Sequence, residues 1–217
     1  MRDVSSSQRA AAIRLGVILT FLIAAFILRG ANLVENGDFE KGKGRVPSVW
    51  NAGAWGGAKG RWERTSEGRK KGGYWYRMVR ENGEGGLQLY SPIIAFQASP
   101  GGKIKFKLAC RYRGSGLMLL RFLKKANGAY ASMANDLGKR FKATRVLKDV
   151  KDWKQETATW TFESAVFQGA CGVQIYFTLF PEHERLEIDD VSLGVENVKV
   201  MKAEDAGAPE RWLRVIP

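Results

Sequence analysis

The chain has 217 residues, of which 45% are hydrophobic and 11% aromatic, and its formal net charge at pH 7 is +13. This composition excludes a disordered chain and suffices for one domain of ordinary size with a hydrophobic core. A single histidine, His183, and two distant cysteines exclude a Cys/His zinc cluster and disfavour a histidine-based catalytic triad. No glycine-rich nucleotide-binding motif occurs in the sequence, so dinucleotide and P-loop chemistry have no support either.

Residues 1–31 have the pattern of a signal peptide or an N-terminal membrane anchor. Three arginines, the last of them Arg14, precede an uninterrupted apolar run from Leu15 to Leu28, and Arg29 follows it. A helix of this length reaches about 21 Å, short of a hydrocarbon core of about 30 Å, which favours the apolar core of a signal peptide. An uncleaved anchor, whose flanking arginines reach the lipid headgroups, remains open. Under both interpretations we expect the rest of the chain to be exported, as an extracellular, periplasmic or membrane-anchored cell-surface domain.

From Asn32 onward, alternating apolar and polar residues predict β-strands. The clearest strand runs from Lys103 to Arg113, where every second residue from Ile104 is apolar and basic residues dominate the opposite side. A second one, Val173–Leu179, has its odd-numbered side chains inward. Further strands are predicted at 73–79, 117–123, 158–162 and 186–193. Many short strands without intervening helices favour an all-β fold, a two-sheet antiparallel β-sandwich of the jelly-roll type.

The two ends of this β region carry a family resemblance. The opening, NLVENGDFEKG from Asn32 to Gly42, leads to a Pro-Ser-Val-Trp segment ending at Trp50, and the close is LEIDDVSL from Leu186 to Leu193. Between them lie a Ser-Pro-Gly-Gly turn before the Lys103 strand and Asp-Trp before a Thr-Trp-Thr-Phe strand. In this order, the motifs resemble those of CenC-type carbohydrate-binding modules, which are galactose-binding-like jelly rolls. The resemblance implies a module over 32–195 and a C-terminal tail over 196–217.

The resemblance also implies a structural calcium ion where the first strand meets the last. By position it assigns oxygen ligands to the side chains of Asp38, Glu40 and Asp189 and to the backbone carbonyl of Gly73. Calcium takes about 6–8 oxygen ligands, and carboxylates mixed with carbonyls suit it. The alternative is that Asp38 and Asp189 only cap turns and face water.

The resemblance also implies that one outer face of the sandwich binds a ligand. Trp50 matches the buried tryptophan of the family, so alternation turns Trp55 to the other side of its strand. Aromatic rings pack on the C–H surfaces of sugars, while amides and charges reach the hydroxyls. On the side opposite the core, the predicted groove comprises Trp55, Lys105, Lys107, Arg111, Gln174, Tyr176 and Thr178. The alternative is ordinary packing for Tyr176 and a solvated face for the lysines.

The positive charge narrows the expected partners. It attracts polyanions in general, but the basic residues are spread along the chain rather than gathered in one recognition helix, and no nucleic-acid motif accompanies them. We therefore predict non-catalytic binding of a polysaccharide, with a preference for acidic glycans and with no nucleic acid as partner. Because the resembling modules are usually appended to enzymes, a separate carbohydrate-active enzyme is a further expected partner.

Two other functions stay open. One is a membrane-anchored structural or protein-interaction sandwich without sugar binding. The other is a glycoside hydrolase or lyase, which would require two carboxyl groups facing each other across a cleft. The acidic residues near His183 (Glu182, Glu184 and Glu187) are the candidates for such a pair.

The two cysteines leave two possibilities. A disulfide between Cys110 and Cys171 would close a loop of about 60 residues and stabilise the fold by about 4 kcal/mol. Alternatively, Cys110, which has core parity in its strand, is a small buried hydrophobic residue.

Overall fold

The computed structural model describes residues 32–67, 73–133 and 141–201, all of which belong to the unit Asn32–Pro217. These residues form one short 3-10 helix, Ser164–Val166, and antiparallel strands. The strands are β1 (Asn51–Trp55), β2 (Lys59–Thr65), β3 (Trp75–Asn82), β4 (Gly86–Tyr90), β5 (Ile94–Ala98), β6 (Lys103–Ala126), β7 (Ala129–Ser132), β8 (Lys142–Glu163), β9 (Ala170–Leu179), β10 (Arg185–Glu196) and β11 (Val198–Val200). The predicted signal or anchor, residues 1–31, lies outside the described residues. Within the described ranges, no helix has the length and apolar character needed to span a membrane.

Strand β6 connects the two layers of the sandwich. Its first part pairs with β10, and together with β3, β2 and the end of β8 it forms the first layer. Its second part pairs with β9, and together with β4, β1 and the start of β8 it forms the second layer. The change of partner falls at Gly114–Gly116, where the register with β8 shifts twice. Gly114 has φ 87°, and a Cβ there would lie 2.2 Å from the carbonyl oxygen of Arg185, so the bend requires glycine.

The core between the layers follows the predicted alternation. On β6, Ile104 and every second residue to Tyr112 are fully buried, and on β9 so are Val173, Ile175, Phe177 and Leu179. Phenylalanine rings from several strands meet at centroid distances of 5.0 to 6.1 Å; they are Phe96, Phe106, Phe122, Phe141, Phe162 and Phe167. The all-β, two-layer antiparallel architecture predicted from the sequence is thereby confirmed.

The cysteines are free and buried. The Sγ of Cys110 lies 3.8 Å from the Sδ of Met118, and burial raises the pKa of the Cys110 thiol to about 12. In the structure, Cys110 is therefore a small buried hydrophobic residue and is not bonded to Cys171. Neither thiol is in the thiolate form that metal binding or nucleophilic chemistry needs at neutral pH.

The opening and closing motifs lie side by side, as their resemblance to the family implied. The backbone N–H of Leu33 donates to the carbonyl of Leu193 (3.0 Å), and the N–H of Val191 donates to the carbonyl of Gly37 (2.8 Å). The Asn32 side chain accepts from the N–H of Leu193 (3.0 Å). Beyond this pair of motifs, the predicted tail boundary at residue 196 needs correction, because β11 pairs with β5 and continues the sheet to Val200.

Candidate functional site

The residues predicted to line one groove lie on two different layers. Lys105, Lys107 and Arg111 belong to the part of β6 that pairs with β10, so they face outward from the first layer. The predicted residues on β1 and β9 lie on the outward side of the second layer, where Trp55 is exposed, Tyr176 is half-buried, and Gln174 and Thr178 are buried. The expectation of a single shared face is therefore wrong. Its physical reason is the bend in β6, which the alternation of the sequence does not reveal.

The outward side of the second layer is organised in rows across β4, β9 and β6. Tyr90 lies opposite Tyr176, which lies opposite Leu119, while Gln174 lies opposite Arg121. We call this side the tyrosine face. Its residues are Trp55, Gln88, Tyr90, Leu119, Arg121, Gln174, Tyr176 and Thr178.

Two tyrosine rings form the centre of this face. The rings of Tyr90 and Tyr176 are stacked, with centroids 5.2 Å apart and an interplanar angle of 16°. Burial and the neighbouring Tyr176 both raise the pKa of Tyr90, so this phenol is neutral at physiological pH. The pair is uncharged, and its two strands are each paired with neighbours on both sides.

A chain of hydrogen bonds fixes the orientation of Tyr176. Its hydroxyl donates to Oε1 of Gln174 (3.2 Å) and accepts from Nη1 of Arg121 (3.0 Å). Nε2 of Gln174 in turn donates to the backbone carbonyl of Ser91 (3.0 Å), and Nε of Arg121 donates to Oγ of Ser132 (2.8 Å). Gln174 is only 8% exposed, so this part of the network is buried among protein groups.

Trp55 extends the face along the strand direction. Its side chain is 42% exposed, and its ring edge packs on Phe180 at a centroid distance of 5.7 Å. The ring lies over Gly86, where a Cβ would be 3.1 Å from Cζ2 of Trp55. Because Asn51 lies opposite Tyr90 and Trp55 opposite Gly86, Trp55 stands about 13 Å along the strand from the tyrosine rings.

The outward side of the first layer is dominated by ion pairs. Glu187 is fully buried there and accepts hydrogen bonds from Arg77 (Nε, 2.8 Å), Arg113 and Arg185, with Nε1 of Trp75 at 3.4 Å. Burial raises the pKa of the Glu187 carboxyl, but the hydrogen bonds from the three arginines outweigh it and lower the pKa to about 2. This group is a structural carboxylate at every physiological pH.

The same side holds the predicted basic residues and a pair of tryptophans. Lys105 pairs with Glu196 (3.0 Å), and Arg111 pairs with Asp190 (3.1 Å). Trp153 meets Trp75 edge to face at 5.9 Å, and Arg111 lies 5.3 Å from the Trp153 ring centroid. We call this side the arginine face. Its residues are Trp75, Arg77, Lys105, Lys107, Arg111, Arg113, Trp153, Arg185, Glu187 and Asp190.

The residues predicted to bind calcium are partly brought together. Oε1 of Glu40 accepts from the N–H of Tyr74 (2.7 Å), which places Glu40 beside Gly73. Asp189 is 1% exposed and accepts from the N–H of Asp190 (2.9 Å), while Asp38 is exposed. In the described part of the chain, no three His, Cys, Asp or Glu side chains gather into a group that would hold a metal ion. Calcium at these residues would therefore depend on backbone oxygens, and it stays a prediction.

An arginine already binds carbonyl oxygens in the same loop. Nε and Nη2 of Arg64 donate to the carbonyls of Phe39 and Glu40 (2.6 Å each), and Nη1 donates to the carbonyl of Gly42 (3.3 Å). The guanidinium lies 3.3 Å from the ring centroid of Tyr74. A protein cation thus neutralises the oxygens of residues 39–42 that point inward.

Of the acidic residues near His183, only some lie in a common cleft. An open cleft of about 540 Å³ lies beside the bend of β6, and Glu182, His183 and Glu184 line it. Glu187 is not among its lining residues, and a carboxyl with a pKa of about 2 is ionised where a general acid must be protonated. His183 Nε2 and Glu182 Oε1 are 3.9 Å apart, a long contact on mixed-charge surface.

Four residues of the tyrosine face were missed by the sequence prediction: Gln88, Tyr90, Leu119 and Arg121. Gln88 and Tyr90 alternate with buried Leu87 and Leu89 on β4, and Arg121 falls between buried Leu120 and Phe122 on β6. In both segments, the alternation of apolar and polar residues is enough to predict that these side chains face away from the core. What it did not contain was that these strands lie on either side of β9, because pairing between distant strands leaves no mark in a local pattern.

Comparison with known proteins finds structures with a similar fold, but it does not assign this chain to a family. No family model and no curated protein matches this chain. Among solved structures, the enzymatically active domain of tailspike protein 4 from bacteriophage CBA120 is similar at a TM-score of 0.50 and 16% identity. The match covers 76% of this chain and 21% of that chain, so this protein spans about a fifth of its length.

Two carbohydrate-binding modules are similar over nearly their whole length. A CBM4 structure has a TM-score of 0.47 and 16% identity, covering 75% of this chain and 99% of that chain. The xylan-binding CBM22-1 domain of Xyn10C from Paenibacillus barcinonensis has a TM-score of 0.43 and 14% identity, covering 76% and 95%. At such identities, likeness concerns the fold alone, and it says nothing about what this chain binds.

Proposed function

We propose that this protein binds a polysaccharide, without catalysing its cleavage, on the tyrosine face. The observation that carries the proposal is the stacked pair Tyr90 and Tyr176, held in place by hydrogen bonds and continued by the exposed ring of Trp55. Aromatic faces flanked by amides and hydroxyls are what protein surfaces offer to sugar rings. The resemblance of residues 32–195 to CenC-type carbohydrate-binding modules supports the same function.

The chemistry of the face favours binding over hydrolysis. Its members in the described part of the chain are aromatic, amide, hydroxyl, aliphatic and guanidinium groups, and none is a carboxylate. Glycoside hydrolysis by the common mechanisms needs two carboxyls across the scissile bond. Burial of both Trp55 and Tyr176 would favour the alternative, an interaction domain without sugar binding; Trp55 is exposed and Tyr176 is half-buried.

The proposed setting is outside the cell. The extracellular location follows from the signal peptide or anchor predicted in residues 1–31. Outside the cell, a polysaccharide is a more plausible partner than a nucleic acid. We propose that the ligand carries acid groups, because a net charge of +13 raises the local concentration of a polyanion. We also propose a separate carbohydrate-active enzyme, acting on the same polysaccharide, as a partner of this protein.

A glycan array followed by titration calorimetry tests the proposal on the full chain. In the variant Trp55→Ala we expect affinity for the polysaccharide identified on the array to fall about tenfold, because an exposed ring that stacks on a sugar is a hot spot. The matched control is Trp153→Ala, which removes a tryptophan from the arginine face and should change affinity less than about twofold. No bound glycan on the array, or equal losses in the two variants, would contradict the proposal.

A further inference from the structure

We infer that Arg121 selects acidic sugars by binding the carboxylate or sulfate of a sugar unit seated on the tyrosine rings. This inference rests on the proposed function and names the ligand class of the same face. The lysines from which the sequence predicted an acidic preference lie on the arginine face, so a different residue must provide it. Arg121 lies on the correct face, opposite Gln174 in the register of β6 and β9.

The hydrogen bonds of Arg121 leave donors available. A guanidinium has five N–H groups. In Arg121, Nε and Nη2 both donate to Oγ of Ser132, and Nη1 donates to the hydroxyl of Tyr176. Three N–H groups are thereby used, and one remains on each Nη. These bonds hold the plane of the guanidinium in a fixed direction, and the two remaining donors suit the oxygens of an anion.

The charge of Arg121 has no carboxylate partner among the described residues. Its neighbour across the strand pair is another cation, the exposed Lys142 of β8. Like charges directly opposite one another in a sheet are destabilising, and an anion bound between them would offset that cost. The two cations therefore indicate where a negatively charged ligand group belongs.

The position of Arg121 relative to the rings completes the argument. The guanidinium carbon of Arg121 lies 6.0 Å from the ring centroid of Tyr176, and its Nη1 contacts the hydroxyl of that tyrosine. A sugar ring packed on Tyr176 would thus have its substituents within reach of the remaining N–H donors. A charge-assisted hydrogen bond to a carboxylate or sulfate is stronger than one to a neutral hydroxyl, so an acidic sugar gains more than a neutral one.

Binding to polygalacturonate and to its methyl ester separates charge from shape. The two polymers share a backbone, and only the first carries carboxylates. By titration calorimetry at constant salt, we expect the full chain to bind polygalacturonate at least about tenfold more tightly than the ester. In Arg121→Gln this ratio should fall below about threefold, because the variant loses the charge-assisted hydrogen bonds that only the acid form can accept. Dextran sulfate against dextran, measured in the same way, shows whether sulfate is accepted as well as carboxylate.

A second arginine provides the matched control. Arg61 is exposed on β2, pairs with Glu81 (3.1 Å), and lies on the other layer, so Arg61→Gln removes the same charge and should leave the ratio unchanged. Arg121→Lys keeps the positive charge but loses the planar guanidinium group, so it should give an intermediate ratio of affinities. It also serves in place of Arg121→Gln if that variant has a much lower Tm. Equal affinity for acid and ester, or a ratio unaffected by both Arg121 variants, would overturn the inference while leaving polysaccharide binding intact. Failure of the Trp55→Ala test on every glycan would instead contradict the proposed function itself.

Discussion

The two outward faces of the sandwich place arginines in opposite surroundings. On the arginine face, Arg77, Arg113 and Arg185 converge on the fully buried carboxylate of Glu187. On the tyrosine face, within the described part of the chain, Arg121 donates its hydrogen bonds to hydroxyl groups, those of Ser132 and Tyr176. Both arrangements orient guanidinium groups, but only the first neutralises them within the protein.

This difference separates a structural use of charge from a ligand-binding one. Where a buried carboxylate is surrounded by arginines, the charges are compensated, and removing one partner leaves the others unpaired. Where an arginine is held by neutral groups, its charge and part of its hydrogen-bonding capacity remain for a ligand. The net charge of the chain therefore indicates less about its ligand than the distribution of its unpaired cations does.

Glu187→Gln should produce the largest effect on stability. The substitution leaves three arginines around a neutral amide, and breaking a buried ion pair on one side costs about 3–5 kcal/mol. We expect urea unfolding, followed by tryptophan fluorescence, to show a loss of this size. The control is Glu196→Gln, which removes an exposed carboxylate that pairs with Lys105 and should cost less than about 1 kcal/mol. Equal losses would show that the Glu187 cluster is no more than a surface network.

The pH dependence of stability tests the same cluster without a substitution. The pKa of Glu187 is about 2 in the folded protein and 4.5 for an unperturbed glutamate, so its contribution is complete above pH 4.5 and is lost as the pH falls toward 2. The shift corresponds to about 3 kcal/mol. Unfolding midpoints measured from pH 7 down to pH 2 should show this loss in the unsubstituted protein and a shallower dependence in Glu187→Gln. Parallel curves for the two proteins would contradict the assignment.

Much of the fold was predictable because its signals are local. Alternation assigned the inward residues of β6 and β9 correctly, and the resemblance implied that the opening and closing motifs lie close together, as the bond between Asn32 and Leu193 shows they do. The sequence did not reveal that residues 103–126 are one strand shared by both layers. Gly114 and Gly116 mark the bend, but a glycine pair between two apolar alternations is equally typical of a turn.

The candidate site was predictable only in part, for the same reason. Parity alone was sufficient to turn Trp55, Gln174 and Tyr176 away from the core. The neighbours of each strand decide which outward residues share a surface, and these neighbours are fixed by long-range pairing rather than by composition. Lys105 and Tyr176 have the same outward orientation on different layers, whereas Arg121 and Tyr176 are 55 positions apart in sequence and hydrogen-bonded.

Removing calcium should have the smallest effect on stability of the three changes considered. The predicted calcium site lies at the edge of the first layer, where Asp189 is near Arg111. At about 100 times its Kd, an ion bound only to the folded state adds about 2.7 kcal/mol, so a chelator should lower the Tm by about 5–10 °C. Asp38→Asn should abolish this response, and Asp152→Asn, at an exposed position that is not among the predicted ligands, should keep it. Identical melting curves with calcium and with chelator would make the calcium prediction wrong. Arg64, which donates to three carbonyls of the loop, would then be the cation that neutralises those oxygens.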